Sequence, residues 1–123
     1  NHPFNSSLTG ASAKDLADGY TAATDRPWTQ PIGFKHALFE VAADVIKRAE
    51  DLDDYEAITA AIAATNMDTI VGEVDWSSGP VKNVSKTPLV GGQWQKEGDT
   101  FDLKIVSNSA HPDIPLTGDL KLI

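Results

Sequence analysis

The strongest constraint in this chain is one apolar band. Phe34, Ala37, Leu38, Val41, Ala42, Val45, Ile46 and Ala49 recur at the three- and four-residue spacing of a helix. The pattern predicts a helix from Phe34 to Ala49. Its apolar face is wide and must lie against another layer of structure. Lys47 and Arg48 fall in its last turn, where cations suit the helix dipole.

Two further helices flank it. Ser12 can accept a bond from a free first-turn N–H, and Asp15 three residues on makes a capping-box pair. Ala13, Leu16, Ala17, Tyr20 and Ala23 then trace one stripe, ended at Arg26-Pro27 because proline disfavours helical geometry before it. Pro27 to Gly33 reads as an irregular connector, with two prolines and a glycine. A third helix is predicted over Asp54–Ala64, capped by Asp53, with Ile58, Ala61 and Ile62 inward. The acidic turn Asp51-Leu52-Asp53-Asp54 reads as a solvated helix start. It lacks the spaced oxygen ligands and mid-loop glycine of a calcium loop.

The texture then changes to Val, Ile, Trp and Gly. Thr69–Trp76 reads as one strand with Ile70, Val74 and Trp76 on a shared face, and Ser77-Ser78-Gly79-Pro80 as the turn after it. Leu89–Gln95 and Phe101–Val106 read as a hairpin about Lys96-Glu97-Gly98-Asp99. Trp76 and Trp94 are expected in the core. From Ser107 onward Pro112, Pro115 and Gly118 mark an irregular tail. The fold class expected is α/β, with helices within 12–65 and strands within 69–107.

Composition narrows the function. Eighteen acidic against ten basic residues give a formal net charge of −8, which repels phosphate backbones and anionic membranes. No nucleic-acid partner is therefore expected. The chain has no cysteine, so disulfides and thiolate sites are excluded. His2, His36 and His111 match no zinc spacing, and neither metal nor cofactor is expected. No phosphate-cradling glycine loop and no nucleophile elbow occur. A His36, Asp75 and Ser78 triad can be drawn, but any chain with three histidines offers such a set, so no catalytic residue is assigned. The acceptor patterns Asn5-Ser6-Ser7 and Asn83-Val84-Ser85 are too short to carry weight.

What remains is the mouth of the predicted central helix. First-turn N–H groups and the positive dipole end can receive an anion there. His36 would border such a cleft, or be a partly exposed helix-start residue. Phe34 reads as core or as an apolar wall for a ligand. Trp28 reads as a staple for the connector or as an aromatic wall.

The order of elements carries a resemblance. A Ser-capped helix, a Pro-bounded connector, the helix Phe34–Arg48, a short acidic break and a third helix come first. Then follow Gly72-Glu73-Val74-Asp75-Trp76, Gly79 and Gly92-Gln93-Trp94-Gln95. Together these resemble the C-terminal part of a periplasmic solute-binding protein of the branched-chain amino acid (Leu/Ile/Val-binding) family, which feeds ABC transporters. Each motif is short, so their order over nearly the whole chain carries the likeness. His36-Ala37 stands where the family often has a Tyr-Asp-Ala-like stretch, which leaves amides and aromatic acids open as ligands.

The resemblance implies a type I periplasmic-binding-protein fold, two lobes closing on a small solute like a clamshell. Residues 1–72 would belong to the first lobe, 73–87 to a crossover or hinge, and 88–123 to the second lobe. It implies ligand contacts at Gly33 and Phe34, with Ile32 and His36 beside them. Its partners would be an amino-acid-like ligand and the permease of an ABC transporter. The compartment would be the periplasm, with a signal peptide in the precursor. Full members are much longer, so the chain reads as a piece of one, binding little alone and associating with another copy or with missing segments. The other reading is an independent small α+β enzyme or protein-interaction domain.

Overall fold

The computed structural model describes residues 3–79 and 81–122. The reading of His2 and the bend expected at Gly79-Pro80 rest partly outside these residues. The chain mixes helix and strand, and its two sheets are separate antiparallel hairpins. It divides into two compact units, Phe4–Thr87 and one built on Pro88–Ile123. The stretch 73–87 belongs to the former.

In the first unit, α1 spans Ala13–Thr24, α2 Gln30–Arg48 and α3 Tyr55–Ala63; β1 is Asn66–Thr69 and β2 Gly72–Asp75. Ser12 caps α1 in a full capping box with Asp15, and Asp25 ends it at φ 54. The α1 stripe is only half-covered, because Leu16, Ala17 and Tyr20 are half-buried and Ala23 is exposed. Asp54, one residue later than expected, caps α3 by accepting from the Glu56 N–H (2.9 Å). Asp53 instead donates its own N–H to Asp51 in the acidic turn.

The central helix starts at Gln30 rather than Phe34. Pro31 sits in its first turn, where a missing N–H costs no helical bond and the fixed φ suits the helix. A pair of prolines that reads as a breaker is therefore, at Pro31, a helix start. Gly33, Ala37, Glu40 and Val45 form the buried side of α2, which packs on α3 and β1. Arg48 ties the far end: it pairs with Asp44 (2.7 Å), donates to the Ala61 carbonyl at the end of α3 (2.9 Å), and donates to the Thr65 hydroxyl (3.1 Å).

The single strand expected over Thr69–Trp76 is a hairpin instead. β1 pairs with β2 from Asn66↔Asp75 to Thr69↔Gly72, leaving Ile70 and Val71 as the loop. β-branched residues are poor in turns that need positive φ, and here that conformation falls on Gly72 (φ 100). The Thr69 hydroxyl donates to the Gly72 carbonyl (2.7 Å) and accepts from the Val71 N–H (3.2 Å). Ile70, at the tip, is buried. Burial of the tip and these bonds override the extended preference of an Ile-Val pair.

In the second unit β3 (Gly91–Glu97) pairs with β4 (Thr100–Ser107) about the Gly98-Asp99 turn, with Gly98 at φ 61. The pairing slips between Gly91 and Gly92, which is a β-bulge beside Val106. The tail lies on the glutamine face of this hairpin. Gln95 donates to the Asp119 carbonyl (2.6 Å), Gln93 donates to the Lys121 carbonyl (2.7 Å), and the Lys121 N–H returns a bond to Gln93 (2.9 Å). Ile114 anchors the tail at 2% exposure. The opposite face carries Trp94 across from Leu103, with Phe101 beside them, and all three are exposed. The core position expected for Trp94 is therefore wrong. The tail covers the polar face, and the indole stays 66% exposed.

Candidate functional site

The α2 start and the segment strapped to it form the candidate site. The strap, Phe4–Ala11, closes on itself through the Ser6 N–H to the Ala11 carbonyl (2.8 Å) and turns at Gly10 (φ 72). Two serines fasten it to α2. Ser6 Oγ lies 2.7 Å from His36 Nε2. The same oxygen accepts from the N–H groups of Leu8 (3.2 Å) and Thr9 (3.3 Å).

Ser7 engages Glu40. Its N–H (2.6 Å) and hydroxyl (2.9 Å) both donate to Oε1, while Oε2 accepts from the Ile70 N–H (2.9 Å). Glu40 is only 1% exposed. A buried carboxylate is tolerable because all its bonds come from donors, two of them charge-assisted backbone N–H groups. One side chain thus joins strap, helix and hairpin tip. The sequence held no signal for it: on a helical projection Glu40 falls outside the stripe traced by Phe34, Ala37, Leu38, Val41, Ala42, Val45, Ile46 and Ala49.

The four residues expected at a ligand are distributed as follows. Gly33 is buried. A methyl added there would stand 3.4 Å from the Trp28 ring and 3.5 Å from Val71. Trp28 is half-buried and meets Tyr20 edge-on at 6.0 Å between centroids, so it staples the connector. Ile32 is half-buried, and Phe34 is 40% exposed. His36 is half-buried and occupied by Ser6. Because the helix begins at Gln30, the amides of Phe34 and His36 lie inside it and are not free donors. In the true first turn Pro31 has no N–H and the Ile32 N–H donates to the Thr29 carbonyl (3.0 Å). The helix-dipole argument for an anion at Phe34 and His36 therefore loses its donors. What this end of α2 offers is an apolar wall.

Asp75 and Ser78 line a shallow depression of about 180 Å³ with Glu73, Gly79, Ser85 and Lys86. His36 is not among its walls, so the triad is not assembled there. Asp75 serves the turn: it accepts from the Ser77 N–H (2.8 Å) and hydroxyl (2.6 Å). Bonds from the Ser77 side chain, then from the Ser78 side chain, hold its carboxyl down to about 2 from the usual 3.8. A second depression, about 220 Å³, is walled by Thr59, Ile62, Ala63, Trp76 and Asn83, and Trp76 is half-buried rather than core. Among the described residues no group of three metal-ligating side chains converges. None of their helices is long and apolar enough to cross a membrane.

Comparison with protein-family models, curated proteins and solved structures gave no match to this chain.

Proposed function

We propose that this chain is part of a two-lobed solute-binding protein of the Leu/Ile/Val-binding type. It captures an amino-acid-like solute, without catalysis, for the permease of an ABC importer in the periplasm. One observation carries the reading. The apolar band of α2 is far wider than the stripe of about 100° that a surface helix needs. Only one side of it is covered. Ala37 and Val45 are buried, yet Leu38 is 66% and Ile46 58% exposed, with Phe39 beside them. A helix apolar over so much of its circumference suits an α/β layer with partners on both sides. The bare face of the β3–β4 hairpin, where Trp94 and Phe101 stand, supports the same reading. So does the division into units at Thr87 and Pro88, next to the start proposed for the second lobe.

On this reading Phe34 is the apolar wall of the cleft, and Ile32, Gly33 and His36 border it. Contacts to the ligand's charged groups come from segments outside this sequence. Calorimetry on a longer polypeptide containing this sequence, using amino acids, their amides and aromatic acids, tests it. Binding should weaken at least tenfold in Phe34→Ala. Gly33→Ala should fold at least as well as the parent, since its methyl meets Trp28 and Val71 at ordinary contact distance and glycine is a poor helix residue. The isolated 123 residues should show no measurable affinity. Tight binding by those residues alone, or a Phe34→Ala variant with unchanged affinity, would sink the proposal.

A further inference from the structure

We infer that a second copy of this chain covers the bare side of α2, lying antiparallel to it across a two-fold axis near Ala42. Between Phe34 and Ile46 the exposed residues of the helix are Phe34, Lys35, Leu38, Phe39, Ala42 and Ile46. On a helical projection they fall within about 140° of arc. All but Lys35 are apolar, on a side where a solvated helix carries polar residues. Leu38, Ala42 and Ile46 make one ridge at four-residue spacing. Turned end for end, that ridge fits itself. Leu38 of each copy meets Ile46 of the other, and the small Ala42 at the centre lets the two helices close. Such self-complementarity is what a two-fold dimer requires.

Charge complementarity points to the same occupant and sets the direction. Lys35 stands at the N-terminal end of the stripe. Past the C-terminal end of α2 come the exposed acids Glu50 and Asp51, beside the last carbonyls and the negative end of the helix dipole. Among the described residues neither Lys35 nor Glu50 has an ion-pair partner in its own chain. An antiparallel copy sets each Lys35 against that acidic end, whereas a parallel copy sets Lys35 against Lys35. The cations near the acidic end do not interfere. Arg48 is turned to Asp44, Ala61 and Thr65, and Lys47 projects to the far side of the helix from the stripe. The net charge of −8 on each copy opposes pairing, but at physiological salt screening over about 8 Å confines that repulsion to the contact itself. The inference starts from the same bare side of α2 as the solute-binding reading but does not rest on capture of a solute, so either can fail alone.

Sedimentation equilibrium on the 123-residue chain at physiological salt should show a monomer–dimer equilibrium. Leu38→Lys, at a position 66% exposed, should leave the circular dichroism spectrum unchanged. It should weaken the dimer at least about a hundredfold, since a two-fold axis counts each change twice. Lys35→Glu should weaken it about tenfold, two surface pairs being turned repulsive. Lys35→Glu combined with Glu50→Lys should restore the parent affinity. Because the chain has no cysteine, Ala42→Cys places a single thiol beside the axis. With oxidised glutathione as oxidant it should yield a disulfide-linked dimer, and Glu50→Cys, far from the axis, should not. A parent chain that stays monomeric would overturn the inference even if a variant fails to fold. So would a dimer dispersed by Trp94→Ser and not by Leu38→Lys, or a double reversal no tighter than Lys35→Glu alone.

Discussion

The two units solve the problem of a small core in opposite ways. In Phe4–Thr87 the most buried side chains are polar. Glu40, Thr65 and Thr69 lie below 2% exposure, and each hydrogen-bonds across element boundaries or within a tight turn. In Pro88–Ile123 the glutamine face of a hairpin is covered by its own tail, while the face bearing Trp94, Phe101 and Leu103 is bare. The former unit is specified from within by hydrogen bonds that have one solution. The latter has spent its internal cover on the polar face and leaves its hydrophobic surface for something else. A hairpin with a bare apolar face is marginal without further packing, so the contrast separates a unit whose deepest side chains are polar and hydrogen-bonded from one whose internal cover lies on its polar face.

Three measurements would break or sharpen that contrast. The largest effect is expected at Glu40. Glu40→Ala leaves the Ser7 and Ile70 donors without an acceptor in a buried site and should cost roughly 3–5 kcal/mol in urea unfolding followed by circular dichroism. A loss below about 1 kcal/mol would mean that the unit does not depend on its polar keystone.

Next comes a pair within the second unit. Ile114→Ala should cost about 3 kcal/mol, as expected for a fully buried aliphatic side chain. Trp94→Ser should change stability of the same chain by less than about 0.5 kcal/mol. Equal costs would show that the indole face is covered in solution, by self-association or otherwise. Light scattering of Trp94→Ser against the parent would then tell whether another copy covers it.

The smallest effect concerns Asp75. Its folded value lies below the ordinary 3.8, so its contribution to stability is complete above that value and fades as pH falls through about 2. Ser77→Ala removes the largest cause. Carboxyl chemical shifts followed by NMR should show the Asp75 midpoint rising toward 3.8, with the acid leg of the stability profile flattened. An unmoved midpoint would mean that the turn at Ser77 is not formed as described.

Much of this was legible residue by residue. The Ser12–Asp15 box and the Gly98 turn are local chemistry, written within three or four positions and needing no distant partner. The start of α2 was misplaced because proline breaks a helix interior but suits its first turn, and only the position of the turn decides which rule applies. The β1–β2 hairpin was missed because Ile-Val carries no turn signal. Its tip is held by Glu40, thirty residues earlier, and by Thr69. His36 was singled out, but its partner Ser6 sits in a stretch with no periodicity to place it. Phe34, 40% exposed, is not the core residue that one of its two readings made it, because the buried side of α2 runs through Gly33, Ala37, Glu40 and Val45 instead.

The sequence by itself determined that three helices and the second hairpin form, since caps, periodicity and a glycine at positive φ act over one turn of chain. Only the tertiary structure decided which side of the α2 band is buried, which face of the β3–β4 hairpin the tail covers, and that one carboxylate joins three segments. Those choices depend on hydrogen-bond partners dozens of residues apart, and no local preference of the backbone encodes who meets whom.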